Sequence, residues 1–213
     1  MELSREITLL QQIGDETEYK EDMVAMFDHG MIVAMLTEIM AKRLELDNEE
    51  ISNITKASML HDIGKLKLSA YLYGRKDDFM DIDEIKYARM HPVLGRDIVS
   101  KAGIYNEKIQ SYVYYHHENN DGTGYPERID GDNTPLGAKI LHVCDTYVSL
   151  VSERPFRAAY SKDTALAIMA LEADNYDMKL FMMLMDIVFS DEFAAVQIFI
   201  DQANQRYRMQ TNN

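Results

Sequence analysis

Five of the six histidines in this 213-residue chain, His29, His61, His91, His116 and His117, recur in company with two aspartates, Asp62 and Asp145. Imidazole and carboxylate without thiolate is the ligand mix of a hydrolytic Mn, Fe or Zn centre in which two ions flank a bridging hydroxide. Taken alone, His29 or His91 would be read as a core residue bonded to backbone. Several ionisable groups at the inward ends of different helices are costly to bury unless something pairs them, and a metal cluster supplies that pairing. His142 lies one helical turn before Asp145 and is assigned to packing or to orienting a ligand, outside the metal set. The chain reads first as a metal-dependent hydrolase.

Such residues must be held by rigid elements. Apolar positions recur at helical spacing almost throughout and no long stretch alternates with period two, so the fold is predicted to be all-α. From Asp22 to Leu46 one face carries Met26, His29, Val33, Leu36 and Met40, which puts His29 on a buried stripe. Asp47 and Glu50 have capping-box spacing and open a helix through Ile51, Ile54 and Ser58 to His61, stopping near Gly64. A third helix is predicted from Asp81, with Glu84 three residues on, carrying Ile85, Ala88 and His91 inward and kinked by Pro92. A fourth runs from about Asn106 through Ile109 and Val113 to His116-His117, and a loop rich in turn formers, Asn119 to Pro126, ends it. Thr134 and Pro135 are read as N-cap and first position of a helix carrying Ile140, Leu141, Asp145 and Val148. Further helices are predicted over 163–172, 177–189 and 192–207. Residues 1–20 are read as a short N-terminal extension, 21–207 as a single catalytic domain and 208–213 as a tail.

Composition narrows the function classes. At 46% hydrophobic residues, the chain can bury one sizeable core. A net charge of -14 and a pI near 4.8 oppose attraction to nucleic-acid polymers or anionic membranes, so any phosphate must be held by local cations or metal ions. The N-terminus has no basic stretch followed by an apolar one, and the apolar run 180–189 is interrupted by Asp186. Neither a signal peptide nor a membrane span is expected. The lone Cys144 cannot form an intramolecular disulfide and fits a reducing, cytoplasmic setting. The 15 methionines are read as core filling in preference to an adaptable partner surface.

Several motifs, in order, resemble those of the HD-GYP proteins, a branch of the HD phosphohydrolases. They are His61-Asp62-Ile63-Gly64-Lys65, His91-Pro92-Val93-Leu94-Gly95, His116-His117-Glu118 and Asp121-Gly122-Thr123-Gly124-Tyr125-Pro126. Leu136 to Ile140, Asp145 and Arg154-Pro155-Phe156-Arg157 continue the likeness, which covers roughly residues 22–175. It implies an HD-domain helical bundle with additional C-terminal helices and hydrolysis of cyclic di-GMP to pGpG, and onward to GMP. The implied cofactors are divalent ions, Fe or Mn first, with Zn, Ni, Co and Mg as other candidates. By similarity, His29, His61, Asp62 and Asp145 surround one ion, and Asp62, His91, His116 and His117 the other. Asp62 bridges them, Lys65 supplies a cation to the scissile phosphate or leaving oxygen, and Arg154 and Arg157 hold the second phosphate through planar donors. Tyr125 offers a stacking surface or a hydrogen bond from a loop that borders the site.

Departures from the pattern qualify these expectations. Members with three metals carry a glutamate one turn before the first histidine; here that position is Ala25, so two ions are expected. Val148 stands at a position commonly acidic in the family, and 68–79 lacks the usual proline-containing pattern. Two other readings are carried: an HD phosphohydrolase for another nucleotide, such as cyclic GMP-AMP, and a metal-bound scaffold that binds a GGDEF-type diguanylate cyclase. Retention of every core ligand favours catalysis. A homodimer is compatible with all three.

Overall fold

The computed structural model describes residues 3–14, 20–68, 82–154 and 157–211. Its helices are α1 (Ser4–Gly14), α2 (Lys20–Arg43), α3 (Asn48–Leu60), α4 (Ile82–Ala88), α5 (His91–Lys101), α6 (Glu107–Tyr115), α7 (Leu136–Val151), α8 (Lys162–Leu171), α9 (Met178–Val188) and α10 (Ala194–Thr211). A 3₁₀ segment, Ile63–Leu68, follows α3, and single 3₁₀ turns lie at Ala173–Asn175 and Asp191–Phe193. Among the described residues the only extended pairing is an isolated antiparallel bridge between Arg154 and Arg157. The fold is the all-α HD-domain bundle expected, with α8 to α10 as the added C-terminal helices.

The centre of the bundle is α2. Ile32, Val33, Ala34, Leu36, Met40 and Ala41 on it are buried, an apolar surface broad enough for α3, α7 and α10 to pack on together. By length and composition Val24–Arg43 could also cross a membrane; half of it is buried inside the bundle. Local signals set the helix starts. Asp47 accepts from the Glu50 amide at 2.8 Å and Asn106 from the Ile109 amide at 3.0 Å, each satisfying an N–H that has no partner within its helix. Leu10 of α1 and Leu3 just before it are buried in the core cluster.

Three local expectations need correction. The helix drawn through His91 is two helices: α4 ends at Ala88 and α5 begins at His91, with Pro92 in its first turn. Proline starts a helix there instead of kinking one, because its missing N–H would have had no partner in any case. Ile85 is consequently 42% exposed, not inward, and Asp81 lies outside the described residues. At α7 the N-cap is Pro135, not Thr134, whose hydroxyl instead donates to the Asp130 carbonyl at 2.8 Å. The methionines divide: Met26, Met40, Met59 and Met169 are buried, whereas Met178, Met182 and Met185 are exposed along α9.

Candidate metal centre

Three of the histidines are aimed by one local device. The Nδ1 atoms of His61, His91 and His116 each lie 2.7 Å from the carbonyl three residues earlier, on Ser58, Ala88 and Val113. A carbonyl only accepts, so Nδ1 carries the proton and donates, which leaves the Nε2 lone pair facing inward. His61 and His116 sit at the C-caps of α3 and α6, and His91 opens α5. Here the 3₁₀ segment must approach α5 closely: a Cβ on Gly64 would lie 2.0 Å from the His91 carbonyl oxygen and 2.7 Å from the Gly95 amide nitrogen. Only glycine allows that approach.

All seven predicted ligand side chains converge, and they do so as two groups joined by Asp62. Asp62 Oδ2 lies 3.4 Å from His61 Nε2 and 4.0 Å from His29 Nε2. Asp145 Oδ1 completes that group, 2.8 Å from His29 Nε2 and 3.5 Å from His61 Nε2. On the other side Asp62 Oδ1 lies 3.4 Å from His91 Nε2, which is itself 3.2 Å from His116 Nε2 and 3.1 Å from His117 Nε2. All are buried except His117, which is half-buried.

The donor set fits divalent cations. The lone pairs of His91 and His116 point at one another with no proton between them, and Asp62 Oδ1 is buried with no hydrogen-bond donor. Each feature is unfavourable in a dry interior unless a cation is present. Protonation behaviour agrees. Burial works against charge on His61, yet Asp62 and Asp145 overcome it and raise the imidazole to about 10, so without a cation in the site its Nε2 also holds a proton, facing the two carboxylates. Burial likewise resists charge on Asp62 and Asp145, but His61 holds both well below the usual carboxylate range, with help from Lys65 and His29 respectively. Burial drives His91 down to about 4, aided by Lys65, and drives His29, His116 and His117 down as well.

The remaining predicted residues surround this cluster. Lys65 Nζ donates to Asp62 Oδ2 at 2.7 Å. Tyr125 stacks on His117 with ring centroids 4.7 Å apart, and Arg89 lies 5.2 Å above the tyrosine ring. Its loop folds back because Gly124 leaves room: a Cβ there would lie 2.4 Å from the His117 carbonyl oxygen, to which Tyr125 N donates at 3.0 Å. Arg154 donates to Ser149 Oγ at 3.1 Å, and that hydroxyl lies 3.4 Å from Asp145 Oδ1. Ser149 thus links the predicted arginine to the predicted carboxylate; its place one turn after Asp145 was the available signal, and it was missed. Arg157 donates to the Ser149, Leu150 and Ala158 carbonyls, closing the end of α7. Pro155 and Phe156 lie outside the described residues. His142 stands apart from both groups, its Nδ1 donating to the His116 carbonyl at 2.9 Å.

Comparison with known proteins identifies the family. A family model described as HD domain matches residues 11–180. The chain is 32% identical, over 76% of its length and 43% of the relative's, to a cyclic di-GMP phosphodiesterase response regulator of Xanthomonas campestris. It is 34% identical, over 66% of its length and 30% of the relative's, to 3'3'-cGAMP-specific phosphodiesterase 3 of Vibrio cholerae. It therefore spans less than half the length of these curated relatives. Its fold resembles that of an HD-GYP-type protein from Bdellovibrio bacteriovorus, with TM-score 0.64 and 18% identity over 78% of this chain and 53% of that one. Motifs, fold and family match coincide on the same residues, and the chain belongs to the HD domain family, in its HD-GYP branch.

Proposed function

We propose that this chain is a cyclic dinucleotide phosphodiesterase that works with two divalent ions, Fe or Mn, and takes cyclic di-GMP to pGpG. The observation that carries the reading is Asp62, whose two oxygens face two separate sets of imidazoles. His29, His61 and Asp145 would complete one ion's ligands, and His91, His116 and His117 the other's. When bound, such ions supply an activated water and offset charge on the phosphoryl oxygens.

The chain's own residues do the rest. The Nδ1 bonds hold each imidazole in the tautomer and direction its role needs. Lys65 keeps an ammonium beside Asp62 and presents it to the leaving oxygen, where a fixed cation lowers the barrier. Arg154, tethered through Ser149, takes the second phosphate. Arg157, paired with it through the backbone bridge, keeps that segment against the end of α7. Tyr125 borders the substrate.

Anaerobic purification with metal quantification, then turnover with Mn or Fe and separation of pGpG from GMP, tests the reading. About two ions per chain with pGpG as product is the expected result; a metal-free protein that cannot be loaded would refute it. The similarity to a cyclic GMP-AMP-specific relative supports a second substrate, and competition between the two cyclic dinucleotides decides between them.

A further inference from the structure

Arg89 lies between the end of α4 and the start of α5, two residues before His91, and it is exposed. Its Cζ is 5.2 Å from the centre of the Tyr125 ring, and that ring stacks on His117 with the two planes 26° apart. The guanidinium therefore stands at the rim of the second imidazole group. Among the described residues no acceptor holds its side chain by a hydrogen bond or an ion pair. Other arginines are occupied: Arg43 holds Asp186 and Glu192, Arg206 holds Asp28, and Arg208 holds Glu153. Arg157, which the motif pairs with Arg154 as a phosphate clamp, spends its N–H groups on carbonyls around the end of α7. Arg89 instead keeps five N–H donors for an incoming acceptor, and the cation–π attraction that holds it over Tyr125 is weak at an exposed site. In a chain of net charge -14 a doubly anionic cyclic dinucleotide is repelled by most of the surface, so an uncommitted cation beside the ligands decides where it lands. Arg89 stands on the His117 side of the cluster and Arg154 on the Asp145 side.

We propose that Arg89 is a substrate-docking residue. Its guanidinium leaves the Tyr125 ring for a phosphoryl oxygen of the arriving dinucleotide and holds the anion on the His91–His116–His117 side, while Arg154 takes the second phosphate on the other. The ring contact keeps the arginine at the rim when no substrate is bound. Its share in turnover rests on the phosphodiesterase reading above; its share in binding does not.

The test is calorimetric titration of the metal-free protein with cyclic di-GMP, alongside Mn-loaded kinetics on the same compound, for the wild type, Arg89→Ala and Arg89→Lys. Arg89→Ala is expected to bind about tenfold more weakly and to raise KM by a like factor, with a smaller change in kcat. The deficit narrows as salt is raised from about 0.01 to 1 M, because exposed charges are then screened. Arg89→Lys, which keeps the charge but not the planar group over Tyr125, restores most of the affinity. A purely structural role through Tyr125 gives the opposite pattern, a loss that salt does not move and lysine does not rescue. That pattern, or an Arg89→Ala protein equal to the wild type in affinity and KM, overturns the docking role. Wild-type binding without turnover overturns the phosphodiesterase reading instead, and the titration still decides Arg89 by itself.

Discussion

At the scale of single residues, Asp62 is the position on which both halves of the site depend. Its two oxygens serve different imidazole groups, so Asp62→Ala is expected to lose both ions, whereas His117→Ala, which removes a ligand from one group, keeps the other. The metal-to-protein ratio of each purified variant decides; equal losses would sink the bridging role. Lys65 offers a complementary case. It bonds the site through the Asp62 carboxylate and is not among the predicted ligands, so Lys65→Ala should keep its metal and lose about 10²–10³-fold in kcat, the magnitude of a deleted charge-stabilising donor. A variant with normal kcat would remove Lys65 from the chemistry. Both residues were legible in the sequence, because five consecutive motif positions already put a carboxylate, a glycine and a lysine within one turn.

At the scale of elements, helix ends do the positioning, and the sequence exposed them unevenly. Asp47 and Asn106 announced α3 and α6 correctly, since capping is a local hydrogen bond between near neighbours. The break before His91 was not legible. A proline at position 92 is compatible with a kinked helix or with the first turn of a new one, and what chooses is the close approach of the Ile63–Leu68 segment to α5. Gly64→Ala drives a Cβ into the His91 carbonyl. It should cost about 1–3 kcal/mol of stability and weaken metal binding, because His91 must move. Asp47→Ala should cost about 1 kcal/mol with metal affinity unchanged. Urea unfolding and metal titration of the two variants separate these outcomes; a Gly64→Ala protein with wild-type metal affinity would show that α5 is not braced in this way.

At the scale of the whole molecule, so many buried imidazoles and carboxylates make the metal-free protein sensitive to pH in both directions. His29, His91, His116 and His117 have folded pKa values below the ordinary 6.5, that of His91 about 4, so their contribution is present above 6.5 and is lost as pH falls below it. Asp62 and Asp145, held well below 3.8, add to the loss in acid. His61, raised to about 10, contributes fully below 6.5 and loses that contribution as pH rises through 10. Stability of the stripped protein should therefore peak near pH 6.5. Urea midpoints across pH 4–10 test this, and a midpoint still rising from pH 7 to 10 would contradict the charge state assigned to His61.

What the sequence determined by itself was the membership of the site and the class of the fold. Ligand type, helical periodicity and capping are carried by neighbouring residues, so His29, His61, Asp62, His91, His116, His117 and Asp145 could be named before any coordinate was known. The resemblance also implied their division into two groups about Asp62; tertiary structure alone decided that Ser149 joins Arg154 to Asp145 and that Arg157 turns to the last carbonyls of α7. It alone brought Arg206 to Asp28 across 178 positions of chain. Those pairings arise where α2, α7 and α10 cross, and a crossing depends on how whole apolar faces fit together, which no local pattern of residues encodes.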